Sequence, residues 1–217
     1  MIITIDGTAG TGKSTVAKKV AEALHMAYFD TGAMYRAFAY FVLSHQLPIH
    51  DEGKITAALA DFRFHFEGTG THKRYFVNQE EVSSHLRTPE VTEVSSVVSQ
   101  YSQVRKTLLE VQKKFAHTHD VVFEGRDLGT VIFPEAEHKF FLIASDQVRA
   151  ERRHHEMIAK GIDISLKEVL ESIQKRDERD KSRKVAPLRC AEDAIKIDTS
   201  DKSIEEVVNL ILDKVKR

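Results

Sequence analysis

A glycine-rich segment near the N-terminus constrains the fold of this chain more than any other feature. Residues 7–14 read Gly-Thr-Ala-Gly-Thr-Gly-Lys-Ser, which matches the pattern G-x-x-x-x-G-K-[ST]. An apolar run at residues 2–5 precedes it, and helical periodicity follows it. In a strand, loop and helix arranged in this order, backbone N–H groups and the positive helix N-terminus face a polyphosphate. A glycine-rich turn beside a buried strand is the alternative, but chance produces the pattern in fewer than about one in a hundred such chains.

The last two residues of this loop add side-chain chemistry to the backbone cradle. Lys13 would neutralise charge on the β- and γ-phosphates, and the hydroxyl of Ser14 would be a ligand of a magnesium ion. The sequence therefore predicts a polyphosphate site with Mg²⁺ at the end of the first strand.

The composition is that of an ordinary globular chain of 217 residues, 41% of them hydrophobic, which predicts one sizeable core. Its 32 basic and 33 acidic side chains give a net charge of -1, so there is no reason to expect a nucleic-acid polymer as partner. No apolar run reaches the roughly 20 residues of a membrane span. Cys190 is the only cysteine and the N-terminus enters a strand instead of a leader, so we expect a cytoplasmic location.

Short apolar runs alternate with longer helical patterns, which is typical of a parallel sheet covered by helices on both faces. The predicted core strands are residues 2–6, 27–30, 121–124, 139–144 and 194–198. The predicted helices are residues 13–24, 31–47, 103–116, 147–159, 165–180 and 203–215. The fold class is therefore α/β, with a five-stranded parallel core.

One stretch departs from this alternation. Phe62, Phe64 and Phe66 alternate with polar residues, and a turn at residues 68–71 leads into residues 74–77. We interpret this stretch as a β-hairpin with one buried face, inserted into the domain and separate from the main sheet. The chain has no internal repeats and no linker rich in Pro, Gly or Ser, so residues 1–217 are expected to form a single domain.

Two loops that follow predicted strands carry further polar residues. Thr31 begins a helix after the second strand, and Arg36 follows about one turn later, so the pair can hold a second phosphate. An N-cap threonine with an exposed arginine explains the same residues equally well.

After the third strand, Arg126 and Asp127 lie between glycines at the carboxyl end of the strand, where ligands bind in open α/β sheets. There we favour ligand contact over a structural turn.

A charged run at residues 176–183 provides a third group. Arg176, Asp180 and Arg183 are spaced i, i+4 and i+7, so we expect them on one helix face. A solvated helix with ion pairs is the usual meaning of such a run. Because the chain already has two anion sites, we favour an arm that brings arginines over the phosphates.

A second basic cluster lies at the start of the helix predicted for residues 147–159. Positive side chains at a helix N-terminus oppose the helix dipole, which favours a phosphate partner for them. The members of the cluster are Arg149, Arg152 and Arg153.

In these motifs the chain resembles bacterial cytidylate kinases, of the P-loop nucleoside monophosphate kinase group. The matching segments run nearly end to end and are residues 3–7, 30–36, 125–130, 176–180 and 186–188. The resemblance implies transfer of the γ-phosphoryl group from ATP to CMP or dCMP, giving ADP and CDP or dCDP, with Mg²⁺ as cofactor. It also implies a monophosphate-binding region with the β insert at about residues 31–100 and a lid at about residues 149–188. We expect a monomer.

The resemblance assigns site residues by matching position. The catalytic residues would be Lys13, Arg126 and Arg179, and the metal ligand would be Ser14. The ATP-binding residues would be Gly7, Thr8, Ala9, Gly10, Thr11, Gly12, Lys13, Ser14, Thr15 and Arg152. The CMP-binding residues would be Thr31, Tyr35, Arg36, Ser96, Arg105, Arg126, Asp127, Arg176, Asp180 and Arg183. Among these, Thr31, Arg36, Arg126 and Arg183 would hold the acceptor phosphate, Ser96, Arg105 and Asp127 would read cytosine, and Arg176 and Asp180 would reach the sugar hydroxyls.

The cytosine assignment agrees with the chemistry of the base. Cytosine has an exocyclic amino donor beside ring acceptors, and Asp127, Ser96 and Arg105 supply complementary groups. Uracil would place an acceptor opposite Asp127, which costs about 1–3 kcal/mol or more for a buried carboxylate. CMP should therefore be preferred to UMP.

Two other functions stay open at this point. The chain could be a kinase of the same fold for UMP, dTMP or shikimate, or a nucleotide-gated switch that acts through a protein partner. Guanine-specific switches usually read the base with N-K-x-D, but Asn78 and Asn209 are followed by Gln79 and Leu210. The missing motif weakens the switch hypothesis.

Overall fold

A computed structural model describes residues 1–68, 73–159 and 161–215. The strands are β1 (Ile2–Gly7), β2 (Ala27–Asp30), β3 (Phe64–Glu67), β4 (Arg74–Val77), β5 (Glu80–Glu81), β6 (Val121–Glu124), β7 (His138–Ile143) and β8 (Ile195–Asp198). The helices are α1 (Lys13–Ala23), α2 (Thr31–Ser44), α3 (Glu52–Ala58), α4 (Pro89–Val98), α5 (Ser102–Ala116), α6 (Asp146–Ile158), α7 (Leu166–Ser182) and α8 (Ile204–Val215).

Five of these strands form one parallel sheet in the order β2-β6-β1-β7-β8. The predicted five-stranded parallel core is confirmed, and each strand ends within one residue of its predicted bounds. Because β1 lies between β6 and β7, the loops that follow β1 and β6 emerge side by side at one edge of the sheet. This order brings the glycine loop next to the segment that contains Arg126 and Asp127.

Each face of the sheet has its own apolar core, as expected for helices on both faces. On one face, Phe29 and Phe123 pack with residues of α2, α4 and α5. On the other face, Ile5 and Phe140 pack with residues of α1 and α8, including Val207. Every side chain named here is at most 1% exposed, so both layers exclude water from the sheet.

The insert is a separate antiparallel sheet in the order β3-β4-β5. Phe64 pairs with Val77, and Phe66 pairs with Tyr75. The half-buried rings of Phe64, Phe66 and Tyr75 pack on the core that contains Phe29. The predicted β insert with one buried face is therefore present, with a short third strand that was not predicted. Most of the predicted turn, residues 69–71, lies outside the described residues. Phe62 is buried but precedes β3.

All six predicted helices are present, and most of their ends differ from prediction by one or two residues. Helix α2 ends at Ser44, three residues early, because Gln46 adopts a left-handed conformation with φ 53° and Pro48 follows. Helices α3 and α4 were not predicted. The start of α4 had a readable signal, since Thr88 caps the helix and Pro89 occupies its first position.

Candidate active site

The glycine loop joins β1 to α1 in a conformation that side chains would obstruct. Gly7 has φ +145°, and a Cβ there would overlap the carbonyl group of Leu142 on β7. Gly10 has φ +80°, and its Cβ would lie 3.0 Å from the Cβ of Arg149. Glycine at these two positions lets the loop pass close to β7 and α6, so that it curls over the N-terminus of α1.

Lys13 lies at the floor of this loop and is only 4% exposed. Its Nζ donates to the backbone oxygen of Thr8 at 2.5 Å and lies 3.4 Å from the hydroxyl of Thr11. Burial lowers the pKa of Lys13 to about 7, and the neighbouring guanidinium of Arg126 adds to this effect. An anion in the loop would favour the charged ammonium again.

Glu124, at the end of β6, links three elements through its carboxylate and its backbone oxygen. Ser14 donates its hydroxyl to Oε1 of Glu124 at 2.8 Å, and Tyr28 donates to Oε2 at 2.7 Å. The hydroxyl of Thr31 donates to the backbone oxygen of Glu124 at 2.7 Å. Glu124 was not among the predicted site residues, although an acidic residue at the carboxyl end of a central strand was a usable signal.

The start of α2 resolves the two interpretations of Thr31 and Arg36. The N-cap is Asp30, whose carboxylate accepts from the backbone N–H of Ala33 at 2.7 Å, so Thr31 is not the cap. Arg36 is mostly buried and lies 3.3 Å from Asp30, with Arg87 3.7 Å from the same carboxylate oxygen. Burial opposes ionisation of Asp30, but the guanidinium groups of Arg36 and Arg87 lower its pKa overall. The second interpretation, an exposed arginine after a threonine cap, is wrong.

Arg126 and Arg176 extend this positive region toward the glycine loop. The Nε of Arg126 donates to Asp180 at 3.2 Å. Among the described residues, the buried Nε of Arg176 has no hydrogen-bond acceptor. Burial and the charge of Arg126 lower the pKa of Arg176 to about 10. Since Lys13, Arg36, Arg126 and Arg176 influence one another electrostatically, they form a compact cationic group that suits phosphate.

Asp127 is 7% exposed and lies between two arginines. Arg105 donates to one of its carboxylate oxygens, and Arg183 donates to the other at 3.1 Å. The ring of Tyr35 lies 5.6 Å from the guanidinium of Arg105, and burial raises the pKa of Tyr35 to about 12. The hydroxyl of Tyr35 is buried and, within the described part of the chain, has no hydrogen-bond partner. The predicted base-reading residues Arg105 and Asp127 thus contact each other.

Three further predicted residues, Ser96, Arg152 and Arg179, make contacts within the protein. Arg179 donates to the hydroxyl of Ser96 at 3.2 Å and pairs with Glu93 at 2.6 Å, which links α7 to α4. Arg152 donates to the backbone oxygen of Thr199 at 2.6 Å. The structure therefore brings Arg179 to Ser96, and it holds Arg152 against the segment after β8.

Helical spacing placed Arg183 on α7 itself, and the basic cluster of α6 was expected to face a phosphate. The structure shows a different position for Arg183 and protein partners for two members of the cluster. Arg183 is the C-cap of α7, with an extended backbone, and it approaches Asp180 at 3.8 Å from beyond the helix. In the basic cluster of α6, Arg149 pairs with Asp177 at 2.6 Å and Arg153 with Glu156 at 2.9 Å. Ion pairs within the protein therefore accommodate these two arginines.

The relatives of the chain identify this arrangement. A sequence profile described as Cytidylate kinase matches residues 3–217. The chain belongs to the cytidylate kinase family. It is 46% identical over 216 residues to the cytidylate kinase of Halalkalibacterium halodurans, with 100% of this chain and 97% of the relative covered. The cytidylate kinase of Carboxydothermus hydrogenoformans is 45% identical over 217 residues, with coverage of 100% and 98%.

Solved structures agree with the fold class expected of a cytidylate kinase. A shikimate kinase from Bacteroides thetaiotaomicron superposes with a TM-score of 0.50 at 15% identity, and the alignment covers 100% of this chain and 99% of that one. At this identity the likeness shows the fold alone, and it confirms the P-loop kinase fold. Among the helices of the described residues, none is long and apolar enough to cross a membrane.

Sequence reasoning did not predict the contacts by which Arg149 and Asp6 hold the site of this cytidylate kinase family member together. The guanidinium of Arg149 donates to the backbone oxygen of Ala9 at 2.9 Å, so α6 is fastened to the glycine loop. Asp6 accepts from the backbone N–H groups of Leu128 and Gly129 at 3.1 and 2.8 Å, which fixes the loop after β6. Burial raises the pKa of Asp6 to about 7. Neither position follows from spacing, because both act on backbone groups distant in sequence.

Proposed function

We propose that this protein transfers the γ-phosphoryl group of ATP to CMP or dCMP, giving ADP and CDP or dCDP. The observation that carries the proposal is the meeting of two cationic sites at one sheet edge. One is the glycine loop with Lys13, and the other is the group formed by Arg36, Arg126 and Arg176. Membership of the cytidylate kinase family supports CMP as the acceptor.

The donor phosphates would lie along the glycine loop. Its backbone N–H groups and the N-terminus of α1 would face them, and Lys13 would neutralise the β- and γ-phosphates. We assign Arg152 to the donor nucleotide because of the family resemblance. The assigned donor residues are Gly7, Thr8, Ala9, Gly10, Thr11, Gly12, Lys13, Ser14, Thr15 and Arg152.

The acceptor would lie between α2, α4, α7 and the loop after β6. The buried, unsatisfied polar atoms of Tyr35, Arg36 and Arg176 support this placement, because in the described residues they have no protein partner. Arg126 is the residue that faces both substrates. The assigned acceptor residues are Thr31, Tyr35, Arg36, Ser96, Arg105, Arg126, Asp127, Arg176, Asp180 and Arg183.

A magnesium ion fits the oxygen groups of Ser14 and Glu124, which lie 2.8 Å apart beside the loop. Mg²⁺ prefers oxygen ligands and is commonly held by one or two protein groups together with water and substrate phosphates. Among the described residues, no group of three or more His, Cys, Asp or Glu side chains is arranged to hold a metal. When bound, the ion would neutralise charge on the donor phosphates.

The transfer itself needs no general base. A phosphomonoester has its second pKa near ~6, so the attacking oxygen of CMP is largely ionised at neutral pH. Catalysis then depends on alignment of the two phosphates and on neutralisation of the moving phosphoryl group by Lys13 and Arg126. Arg179 would join them only after it leaves Glu93, to which it is bound at 2.6 Å.

We further propose that residues of about 149–188 form a lid, and residues of about 31–100 the acceptor-binding region, within one domain. Closure of the lid would exclude water from the phosphoryl group. We propose that the protein acts as a monomer. A cytoplasmic location is supported by Cys190, which as the only cysteine forms no internal disulfide.

The direct test is a panel of acceptors. Purified protein with ATP and Mg²⁺ is assayed for ADP release with CMP, dCMP, UMP, dTMP and shikimate in parallel. We expect CMP and dCMP to have the highest kcat/KM. If the protein binds ATP but phosphorylates none of the pyrimidine monophosphates, the proposed function is wrong.

A further inference from the structure

Tyr28 contacts a group that faces the donor site, although it lies outside the two sets of assigned substrate residues. Its hydroxyl donates to Oε2 of Glu124 at 2.7 Å, while Oε1 accepts from Ser14 at 2.8 Å. A glutamate side chain has several rotatable bonds and must lose rotamer freedom to hold one orientation. The hydroxyl groups of Ser14 and Tyr28 each bind one oxygen of the Glu124 carboxylate, so both oxygens are held in place.

The ring of Tyr28 is itself held firmly. It is 7% exposed and belongs to the apolar core between the sheet and helices α1 and α8. The buried ring therefore holds its hydroxyl at the Glu124 carboxylate, to which it donates at 2.7 Å.

Lys73, which precedes strand β4 of the insert, binds Tyr28 at the edge of the five-stranded sheet. Strand β2 is an edge strand, which leaves the backbone oxygen of Tyr28 free to accept from Nζ of Lys73. The same Nζ lies 4.8 Å from the ring centroid of Tyr28 and 3.6 Å from that of Phe66. Cation–π contacts with both rings therefore hold the lysine. Burial lowers the pKa of Lys73 to about 8.

We propose that Tyr28 is a positioning residue for the metal-bound nucleotide: it holds the carboxylate of Glu124 facing Ser14, where the divalent cation of the ATP complex would bind. This inference rests on the proposed function. It assigns to Tyr28 a role in the affinity for Mg²⁺-ATP and none in the affinity for ATP without metal. A tyrosine that only fills the core would affect both affinities equally, or neither.

The test measures binding of a non-hydrolysable ATP analogue by calorimetry, with Mg²⁺ and with EDTA. In the wild-type protein Mg²⁺ should strengthen binding. In Tyr28→Phe, which keeps the ring, this gain should fall by about tenfold, because a hydrogen bond to a charged group is lost. Binding in EDTA should stay within about twofold of wild type. An unchanged metal-dependent gain in Tyr28→Phe, or an equal loss in EDTA, would overturn the proposal.

The matched control is Tyr40→Phe, because Tyr40 also donates to a glutamate, Glu80, at 2.6 Å, but at an exposed position. Tyr40→Phe should bind the ATP analogue as wild type does, both with Mg²⁺ and with EDTA.

In a Glu124→Gln background, Tyr28→Phe should reduce the metal-dependent gain no further; an additional reduction would contradict action through Glu124. If wild-type protein gains nothing from Mg²⁺ and does not phosphorylate CMP, the proposed function fails instead. Thermal unfolding is measured for each variant to check that it is folded.

Discussion

At the scale of single residues, Arg126 lies where the two proposed substrates meet. It lowers the pKa of Lys13 on one side and donates to Asp180 on the other. We expect Arg126→Ala to reduce kcat by about 100-fold or more, since it removes a donor to the transferred group. The measurement is steady-state ADP release at saturating ATP and CMP. Arg153→Ala, whose partner is the exposed Glu156, is the control and should retain activity. Near-normal turnover of a folded Arg126→Ala protein would remove Arg126 from the catalytic set.

Asp127 combines a proposed specificity role with a structural one. Because Arg105 and Arg183 both contact its carboxylate, Asp127→Ala should leave Arg105 without its carboxylate partner and Arg183 with only the more distant Asp180, and cost about 3–5 kcal/mol of stability. Asp127→Asn keeps an acceptor and the volume, so it is the better probe of base reading. We expect it to narrow the ratio of kcat/KM for CMP over UMP by about tenfold. The assay is paired kinetics with the two nucleotides, with urea unfolding for stability. A ratio equal to that of wild type would exclude base reading by Asp127.

Asp6 predicts an unusual dependence of stability on pH. Burial raises its pKa to about 7 from an ordinary value of 3.8, so between these values the folded protein binds more protons than the unfolded chain. Stability from this group is complete below pH 3.8 and is lost as pH rises through 7. The free energy of unfolding should therefore fall between pH 5 and 7, by up to about 1.4 kcal/mol per pH unit. Asp6→Asn should flatten this slope in urea titrations. An unaltered slope in the variant would assign the dependence to other groups.

At the scale of elements, the sequence predicted regular structure better than it predicted contacts between elements. The strands and most helices follow from local periodicity, and the glycine loop follows from a contiguous motif. Helix α3 was missed because its seven residues include only one buried side chain, Ile55, which is too little to establish a period. The carboxylate of Glu124 accepts a hydrogen bond from Tyr28, which lies 96 residues away in sequence. No spacing rule reports such a contact, because it arises only when β2 pairs with β6.

The contact between α6 and the glycine loop provides a prediction at this scale. Arg149 bridges the backbone oxygen of Ala9 and the carboxylates of Asp146 and Asp177. Arg149→Lys keeps the charge but cannot reach all three groups, so it should retain most of the stability and raise the KM for ATP several-fold. Arg149→Met should raise the KM for ATP as well. In addition, it should lower the free energy of unfolding by about 3–5 kcal/mol, since it leaves Asp177 unpaired. Arg153→Met, on the same helix, is the control. If Arg149→Lys has the KM of wild type, the arginine only stabilises the fold.

At the scale of the whole molecule, opposite charges join the segments that would close over the substrates. Helix α7 contacts α4 through Arg179 and Glu93, and it contacts the loop after β6 through Asp180 and Arg126. Around these pairs lie several further arginines whose mutual repulsion two phosphates would relieve. We therefore expect closure of the proposed lid to depend on the presence of both substrates.

This coupling predicts a cooperative response in hydrogen exchange. Peptides from α6 and α7 should exchange only slightly more slowly with CMP alone or with a non-hydrolysable ATP analogue alone. With both ligands, their protection should exceed the sum of the separate effects, because each phosphate offsets part of the repulsion between arginines that opposes closure of α6 and α7. Mass spectrometry of the amides measures this, and residues 207–215 of helix α8, which pack in the apolar core with α1, are the internal reference. Protection confined to residues 7–15 and 31–36 would show that α6 and α7 do not respond as a lid.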